Sequence, residues 1–159
     1  MDYELTYADS VPEGAALVDT LRGLADRSGT LYLGFDTEFY NIRIGKESTV
    51  ARSEVHFASL AWDYPGARLH PRGFTVPRAA VVSRTVSKSP QFRDFLEGEG
   101  PRVICLGHNL PVDANTMWNA GVRINGINTL TMARWTWPGR ARAQYGGGGF
   151  ALDALSKDV

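Results

Sequence analysis

The sequence has a single cysteine, only three histidines and no apolar run long enough to span a membrane. Cys105 cannot form an internal disulfide, and its apolar neighbours predict a buried thiol in a reducing compartment, so we expect a cytoplasmic protein with no membrane partner. The acidic start of the chain also lacks the basic and apolar regions of a signal peptide. The cysteine and histidines are not paired at zinc-finger spacing, which argues against a zinc site.

The chain also lacks a net charge, because 17 basic residues balance 17 acidic ones. The charges are nevertheless segregated: residues 1–39 hold eight acidic and two basic side chains, whereas residues 40–93 hold nine basic and three acidic ones. Residues 101–149 add five arginines against one acid. This distribution favours a surface that faces a polyanion, although solvated arginines in an arginine-rich protein would give the same pattern.

The length of 159 residues and a hydrophobic content of 43% indicate one domain, residues 1–159, with a continuous core. Strands alternate with helices, which predicts an α/β fold in which helices flank a mixed β-sheet. The predicted strands are 31–38, 54–62, 79–83 and 102–107, with a short strand or turn at 124–130, and the predicted helices are 12–28, 90–98 and 110–120, with another over 129–137. We predict loops over 40–53 and 139–149, turns at the prolines and glycines of 65–77, and a last helix from residue 150.

Two carboxylates occupy the middle of the otherwise apolar strand LYLGFDTEFY. Residues two apart on a strand share a face, so Asp36 and Glu38 project together, while Thr37 points to the other face. Helices that cover the strand would bury these carboxylates, and a buried unpaired carboxylate is costly. We therefore expect a cation between them.

A third carboxylate, Asp113, lies in GHNLPVDANTM, in the first turn of a helix that follows a buried strand. The helix dipole and the free backbone N–H groups of a first turn favour an ionised side chain there. Open α/β sheets collect ligands at this edge. Together, Asp36, Glu38 and Asp113 would offer three hard oxygen ligands, which suit Mg²⁺ or Mn²⁺. A helix-start acid with no ligand is the alternative.

Four segments together give a family resemblance: FDTE at 35–38, GHNLPVDANTM at 107–117, INTLTMAR at 127–134 and FALDAL at 150–155. In order and spacing they resemble the DEDD (DnaQ-like) 3′-5′ exonucleases, and among these the proofreading domains of phage-type family A DNA polymerases. The resemblance implies a ribonuclease H-like fold. It also implies that Asp36, Glu38 and Asp113 are catalytic and hold two divalent cations, Mg²⁺ or Mn²⁺, for phosphodiester hydrolysis.

The third motif of that family, a His or Tyr followed four or five residues later by Asp, is missing from the sequence. Asp153 matches a position of the family that is not catalytic, and Asp158 is better interpreted as an exposed helix-end acid. We therefore expect the chain to be truncated and C-terminally incomplete, and its hydrolysis to be weak or absent. We expect an exonuclease domain that serves phage or bacterial replication or repair.

The expected partner is a single-stranded or frayed 3′ end of DNA, with a DNA polymerase in cis or in trans. The candidate nucleic-acid-binding residues are Thr37, Phe39, Asn109, Met117, Arg134, Arg140 and Arg142. Core packing is the alternative for Thr37, Phe39 and Met117, a helix cap is the alternative for Asn109, and a solvated loop is the alternative for the arginines. His108 is expected to be structural. An RNA-directed exoribonuclease and a catalytically inactive module that binds nucleic acid or a polymerase remain alternative functions.

Overall fold

The computed structural model describes residues 5–44, 47–63, 78–98 and 103–136. The strands, in chain order, are β1 (Leu5–Ala8), β2 (Leu31–Ile44), β3 (Glu47–Trp62), β4 (Arg78–Ser83), β5 (Val103–Gly107) and β6 (Gly126–Asn128). The helices are α1 (Val11–Ser28), α2 (Arg84–Ser87), α3 (Pro90–Glu97), α4 (Leu110–Asn119) and α5 (Thr129–Thr136). None of these described helices is long and apolar enough to cross a membrane.

The six strands form one mixed sheet in the order β1-β4-β3-β2-β5-β6. The central pairs, β2 with β3 and β3 with β4, are antiparallel. The outer pairs, β1 with β4, β2 with β5 and β5 with β6, are parallel. The predicted α/β fold, a mixed sheet flanked by helices, is therefore confirmed.

The predicted helix over 12–28 is observed as α1, and capping contacts mark its start. Ser10 is the N-cap, Pro12 lies in the first turn, and Glu13 Oε2 accepts hydrogen bonds from the backbone N–H groups of Asp9 (3.0 Å) and Ser10 (2.9 Å). The helix ends at Gly29, whose φ of 77° is a conformation that glycine adopts without steric cost.

One hydrophobic core lies between the helices and one face of the sheet. The alternate residues Leu33 and Phe35 of β2 and Leu60 of β3 are buried in it, together with Leu21 of α1 and Phe92 of α3. We call this the helix-covered face. The residues between them, such as Tyr32 and Gly34, are exposed or half-buried and belong to what we call the open face. The sheet is therefore strongly covered on one side only within the described residues.

The predicted loop over 40–53 is wrong. β2 continues to Ile44 and β3 begins at Glu47, so that the two strands form a long antiparallel pair with registers such as Tyr40 opposite Glu54 and Arg43 opposite Ser48. Backbone hydrogen bonds hold such a ladder irrespective of side-chain polarity. A polar segment without alternation therefore gave no strand signal.

Two elements have no counterpart in the sequence-based prediction. β1 is only four residues long and pairs with β4, and α2 is a single turn whose N-cap is Ser83. Val86 of α2 packs so closely on α1 that a Cβ added to Gly14 would lie 2.6 Å from one of its methyl groups. The predicted turns over 65–77, the loop over 139–149 and the helix from residue 150 lie outside the described residues.

Candidate active site

Asp113 reaches the sheet through a sharp connection between β5 and α4. Asn109 is the N-cap of α4, as predicted, and it adopts the left-handed conformation with φ 66° and ψ 36°. Its backbone N–H donates to Asn128 Oδ1 at 3.1 Å, which ties the start of α4 to the end of β6. Asparagine tolerates this region better than most residues, so the chain turns here at low cost. Asp113 follows in the first turn, where the sequence predicts it.

Thr37 of β2 holds the Asp113 carboxylate with two hydrogen bonds to the same oxygen. Its backbone N–H donates to Oδ1 at 2.9 Å and its hydroxyl donates to Oδ1 at 2.7 Å. Both residues are buried, with Asp113 4% exposed. Burial raises the pKa of the Asp113 carboxyl above its ordinary value, the hydrogen bonds from Thr37 lower it, and the charge of Asp36 raises it. The carboxylate is thus fixed in position at an electrostatic cost.

Asp36 and Glu38 lie together on the open face, as the strand alternation predicts, and both are exposed. The expectation that helices bury them is wrong, because the described helices cover the opposite face. Thr37 points to the helix-covered face, where it meets Asp113. The third carboxylate therefore approaches the strand from the other side, although it still feels the charge of Asp36.

The chemistry of the three carboxylates, Asp36, Glu38 and Asp113, suits a hard divalent cation, because carboxylate oxygens are the ligands that Mg²⁺ and Mn²⁺ prefer. The mutual repulsion of Asp36 and Asp113 is what a cation between them would relieve. Across the described ranges, however, no group of three or more His, Cys, Asp or Glu side chains is close enough to hold a metal ion. The ligand roles of Asp36, Glu38 and Asp113 thus stay predictions.

A cavity of about 620 Å³ opens beside Asp36 on the open face. Small side chains, among them Gly34, Ala61 and Ala79, line its floor, and His108 and Thr129 line one side. The Thr129 hydroxyl donates to the Gly107 carbonyl at 3.2 Å and lies 3.4 Å from His108 Nδ1. Sequence reasoning missed this cavity. The available signal was small residues at alternate positions of neighbouring strands, which becomes visible only when the register is known.

The structure separates the candidate nucleic-acid-binding residues into groups. Met117 is fully buried in the core, so packing, the alternative, describes it. Thr37 is buried and engaged with Asp113, which makes it a positioning residue rather than an open contact. Phe39 is half-buried and Asn109 is exposed. The side chain of Arg134, and Arg140 and Arg142, lie outside what the structure describes.

Comparison with protein-family models gives no match, and comparison with curated proteins gives none either. Solved structures do match. The RNase D–GMP complex from Trypanosoma brucei superposes with a TM-score of 0.62 at 12% identity over 98% of this chain and 42% of that chain. The catalytic core of RRP6 from Trypanosoma brucei gives a TM-score of 0.56 at 11% identity over 99% of this chain and 40% of that chain. The chain thus spans about two fifths of both structures.

A third similar structure is the EXD2 exonuclease domain soaked in Mg and GMP, with a TM-score of 0.54 at 16% identity over 98% of this chain and 68% of that chain. A further structure of that domain was soaked in Mn and GMP. At these identities the likeness concerns the fold. The chain therefore has the ribonuclease H-like fold that these exonuclease domains share.

Proposed function

We propose that this chain is a metal-dependent 3′-5′ exonuclease domain that removes nucleotides from the 3′ end of a nucleic acid. The observation that carries the proposal is the bond pair between Thr37 and Asp113, which fixes one carboxylate against the strand that carries Asp36 and Glu38. Burial and a neighbouring acid both disfavour the charged form of this carboxylate. A carboxyl group perturbed in this way is typical of a functional site. The fold shared with the EXD2 exonuclease domain supports the same reaction class.

In this proposal Asp36, Glu38 and Asp113 hold Mg²⁺ or Mn²⁺. Divalent cations in such a site supply Lewis-acid activation of water and neutralise charge at the scissile phosphate. Thr37 orients Asp113 through its two hydrogen bonds, so that one carboxylate oxygen is fixed before substrate arrives. The cavity beside Asp36 receives the terminal nucleotide, with His108 and Thr129 as polar groups at its side.

The substrate we favour is a single-stranded or frayed 3′ end of DNA, as in proofreading beside a DNA polymerase. RNA is the second candidate, because the fold is shared equally with RRP6 and RNase D. A catalytically inactive module that binds nucleic acid is the third. Asp113 opposes it, since a buried carboxylate carries an electrostatic cost that an inactive module has no need to bear.

The test is digestion of 5′-labelled DNA and RNA 12-mers in Mn²⁺ or Mg²⁺, read as a ladder on a denaturing gel. We expect shortening from the 3′ end, one nucleotide at a time. Asp36→Ala and Asp113→Asn should abolish the ladder. The matched control is Asp19→Ala, which removes an exposed acid from α1.

Each outcome of this assay has a distinct meaning. A ladder with DNA only, or with RNA only, assigns the substrate. A ladder that persists in Asp36→Ala contradicts the assignment of the site. Binding of the 12-mers without any shortening, in a protein that retains Mn²⁺ binding, assigns the chain to the inactive module.

A further inference from the structure

A β-bulge beside Glu38 places two consecutive rings on the open face. Glu38 pairs with Phe57, but the next residue of β2, Phe39, pairs with Val55, so His56 has no partner across the ladder. A bulge of this kind turns two successive side chains to one side of the strand. Accordingly His56 is exposed and lies 5.4 Å from the Phe57 ring, centroid to centroid.

Tyr40 extends this pair of rings along β2. It shares the open face with Asp36 and Glu38 by strand alternation, is 61% exposed, and lies 4.9 Å from His56 between ring centroids. Tyr7 of β1, which is 67% exposed, lines a groove of about 380 Å³ together with His56 and Phe57, and Tyr40 lies next to it through its contact with His56. We call these four residues, Tyr7, Tyr40, His56 and Phe57, the aromatic groove.

The aromatic groove is continuous with the candidate active site. Val81 lines both the groove and the cavity beside Asp36. The sheet register places Asp36, Ser59, Val81 and Tyr7 in one row across four strands. With strands about 4.8 Å apart, this row is roughly 14 Å long. A strand whose end lies at Asp36 and Glu38 can therefore run across the sheet over these rings.

Two basic side chains lie near the rings. Arg84 and Lys88 both pair with Glu54, which lies opposite Tyr40, so that two cations share one carboxylate there. Phosphate groups would be attracted to this side. Asp9 lines the groove near Tyr7, where its carboxylate disfavours phosphate but can accept a hydrogen bond from a base.

We propose that the aromatic groove is a second nucleic-acid site, which stacks the bases next to the terminal nucleotide of a single strand while Arg84 and Lys88 contact its phosphates. Exposed rings on the face of a sheet stack successive bases in other single-strand binders, and stacking tolerates any sequence. The inference rests on the proposed function, because the 3′ end at Asp36 and Glu38 sets the position of the strand.

The experiment measures binding in EDTA, where no hydrolysis occurs, with 5′-fluorescein oligothymidylates and oligouridylates of two to eight nucleotides. Tyr40→Ala and His56→Ala should each weaken binding of the longer strands about 10-fold, within the range expected for one stacked base. His56→Phe should retain binding, because it keeps the ring. Binding of the dinucleotide should change least in these variants. Both altered side chains are exposed, and thermal melting checks that each variant folds.

The matched control is Tyr32→Ala. Tyr32 is 53% exposed and lies on the same strand and the same face as Tyr40, but at the other end of the strand. It should bind like the wild type. If Tyr40→Ala and His56→Ala also bind like the wild type, or if the wild type binds no single strand at low salt, the inference is overturned. Variants that change the sedimentation of the protein but not oligonucleotide binding would overturn it in favour of a protein contact.

The failure of this inference differs from the failure of the proposed function. Loss of the digestion ladder in Asp36→Ala together with unchanged binding by the groove variants rejects only the groove. Stacking-dependent binding without any metal-dependent digestion rejects the exonuclease activity and leaves the groove as a binding surface. A photo-crosslink from 5-iodouracil, placed at each position in turn, should reach the aromatic groove from internal positions and not from the 3′-terminal one.

Discussion

Thr37 donates two hydrogen bonds to one oxygen of Asp113, across 76 positions of sequence. The pair links β2 to the first turn of α4, and both residues are buried. Since Asp36 and Glu38 flank Thr37 directly, the same contact sets the position of all three candidate catalytic acids relative to one another. Thr37 thus acts on the site through Asp113.

Thr37→Val should destabilise the fold by roughly 1–3 kcal/mol, because the change keeps the side-chain shape but leaves a buried carboxylate without its hydroxyl donor. Urea unfolding measures this. Thr37→Ser, which keeps the hydroxyl, should lose much less stability. Thr6→Val, the same change at an exposed site of β1, is the control. Equal, small effects at both sites would show that the hydroxyl bond contributes nothing.

Millimolar Mn²⁺ should raise the melting temperature of the wild type, because a ligand that binds only the folded chain stabilises it. At ten times the dissociation constant the gain is about 1.4 kcal/mol. Asp36→Ala should lose the gain and Asp19→Ala should keep it. An equal rise in the wild type and Asp36→Ala would mean that the ion binds elsewhere.

Glu13 should make the fold sensitive to acid. Hydrogen bonds from Ser10 and Asp9 lower the pKa of its carboxyl below the ordinary value of 4.5. A pKa that is lowered on folding gives stability that is present above the unfolded value and is lost as the pH falls through the folded one. Glu13→Gln should therefore reduce the loss of stability on going below pH 4.5, as measured by urea unfolding at several pH values. An unchanged acid profile in Glu13→Gln would contradict this role of the Glu13 carboxylate.

Cys105 should resist modification in the folded state. Burial raises the pKa of its thiol from 9.0 to about 12, so almost no thiolate exists at pH 8. Iodoacetamide should label the protein in urea and not in buffer. A pKa raised on folding also means that this contribution to stability is full below pH 9 and is lost as the pH rises towards 12. Cys105→Ala should remove that part of the alkaline decline, and rapid labelling of the native protein would contradict the burial.

Arg140 and Arg142 lie outside the described residues, so their role stays a prediction from the sequence. If they contact phosphate, replacing both with Ala should weaken binding of a single strand and reduce the slope of affinity against salt by up to about 1.4, at ~0.7 per neutralised phosphate. Fluorescence anisotropy at several salt concentrations measures both. Unchanged affinity and slope would assign these arginines to a solvated loop.

Helices α1, α3 and α4 could be predicted almost to the residue. Each begins with a cap and a proline in the first turn, and these act within a few residues of the helix start. β5 was equally clear because it is a short apolar run. β1 and the extension of β2 and β3 could not be predicted, since their partners are distant in sequence or their pairing is by backbone alone.

The sequence by itself determined the chemistry of the candidate site: that Asp36 and Glu38 share one face of a strand, and that Asp113 lies in the first turn of a helix. The two-residue period of a strand and the start signals of a helix depend only on neighbouring residues, so they can be identified without a structure. Only the tertiary structure decided that Asp113 approaches from the opposite face and is held by Thr37, and that a bulge sets His56 beside Phe57. Both depend on register and packing between segments far apart in the chain, which no local pattern encodes.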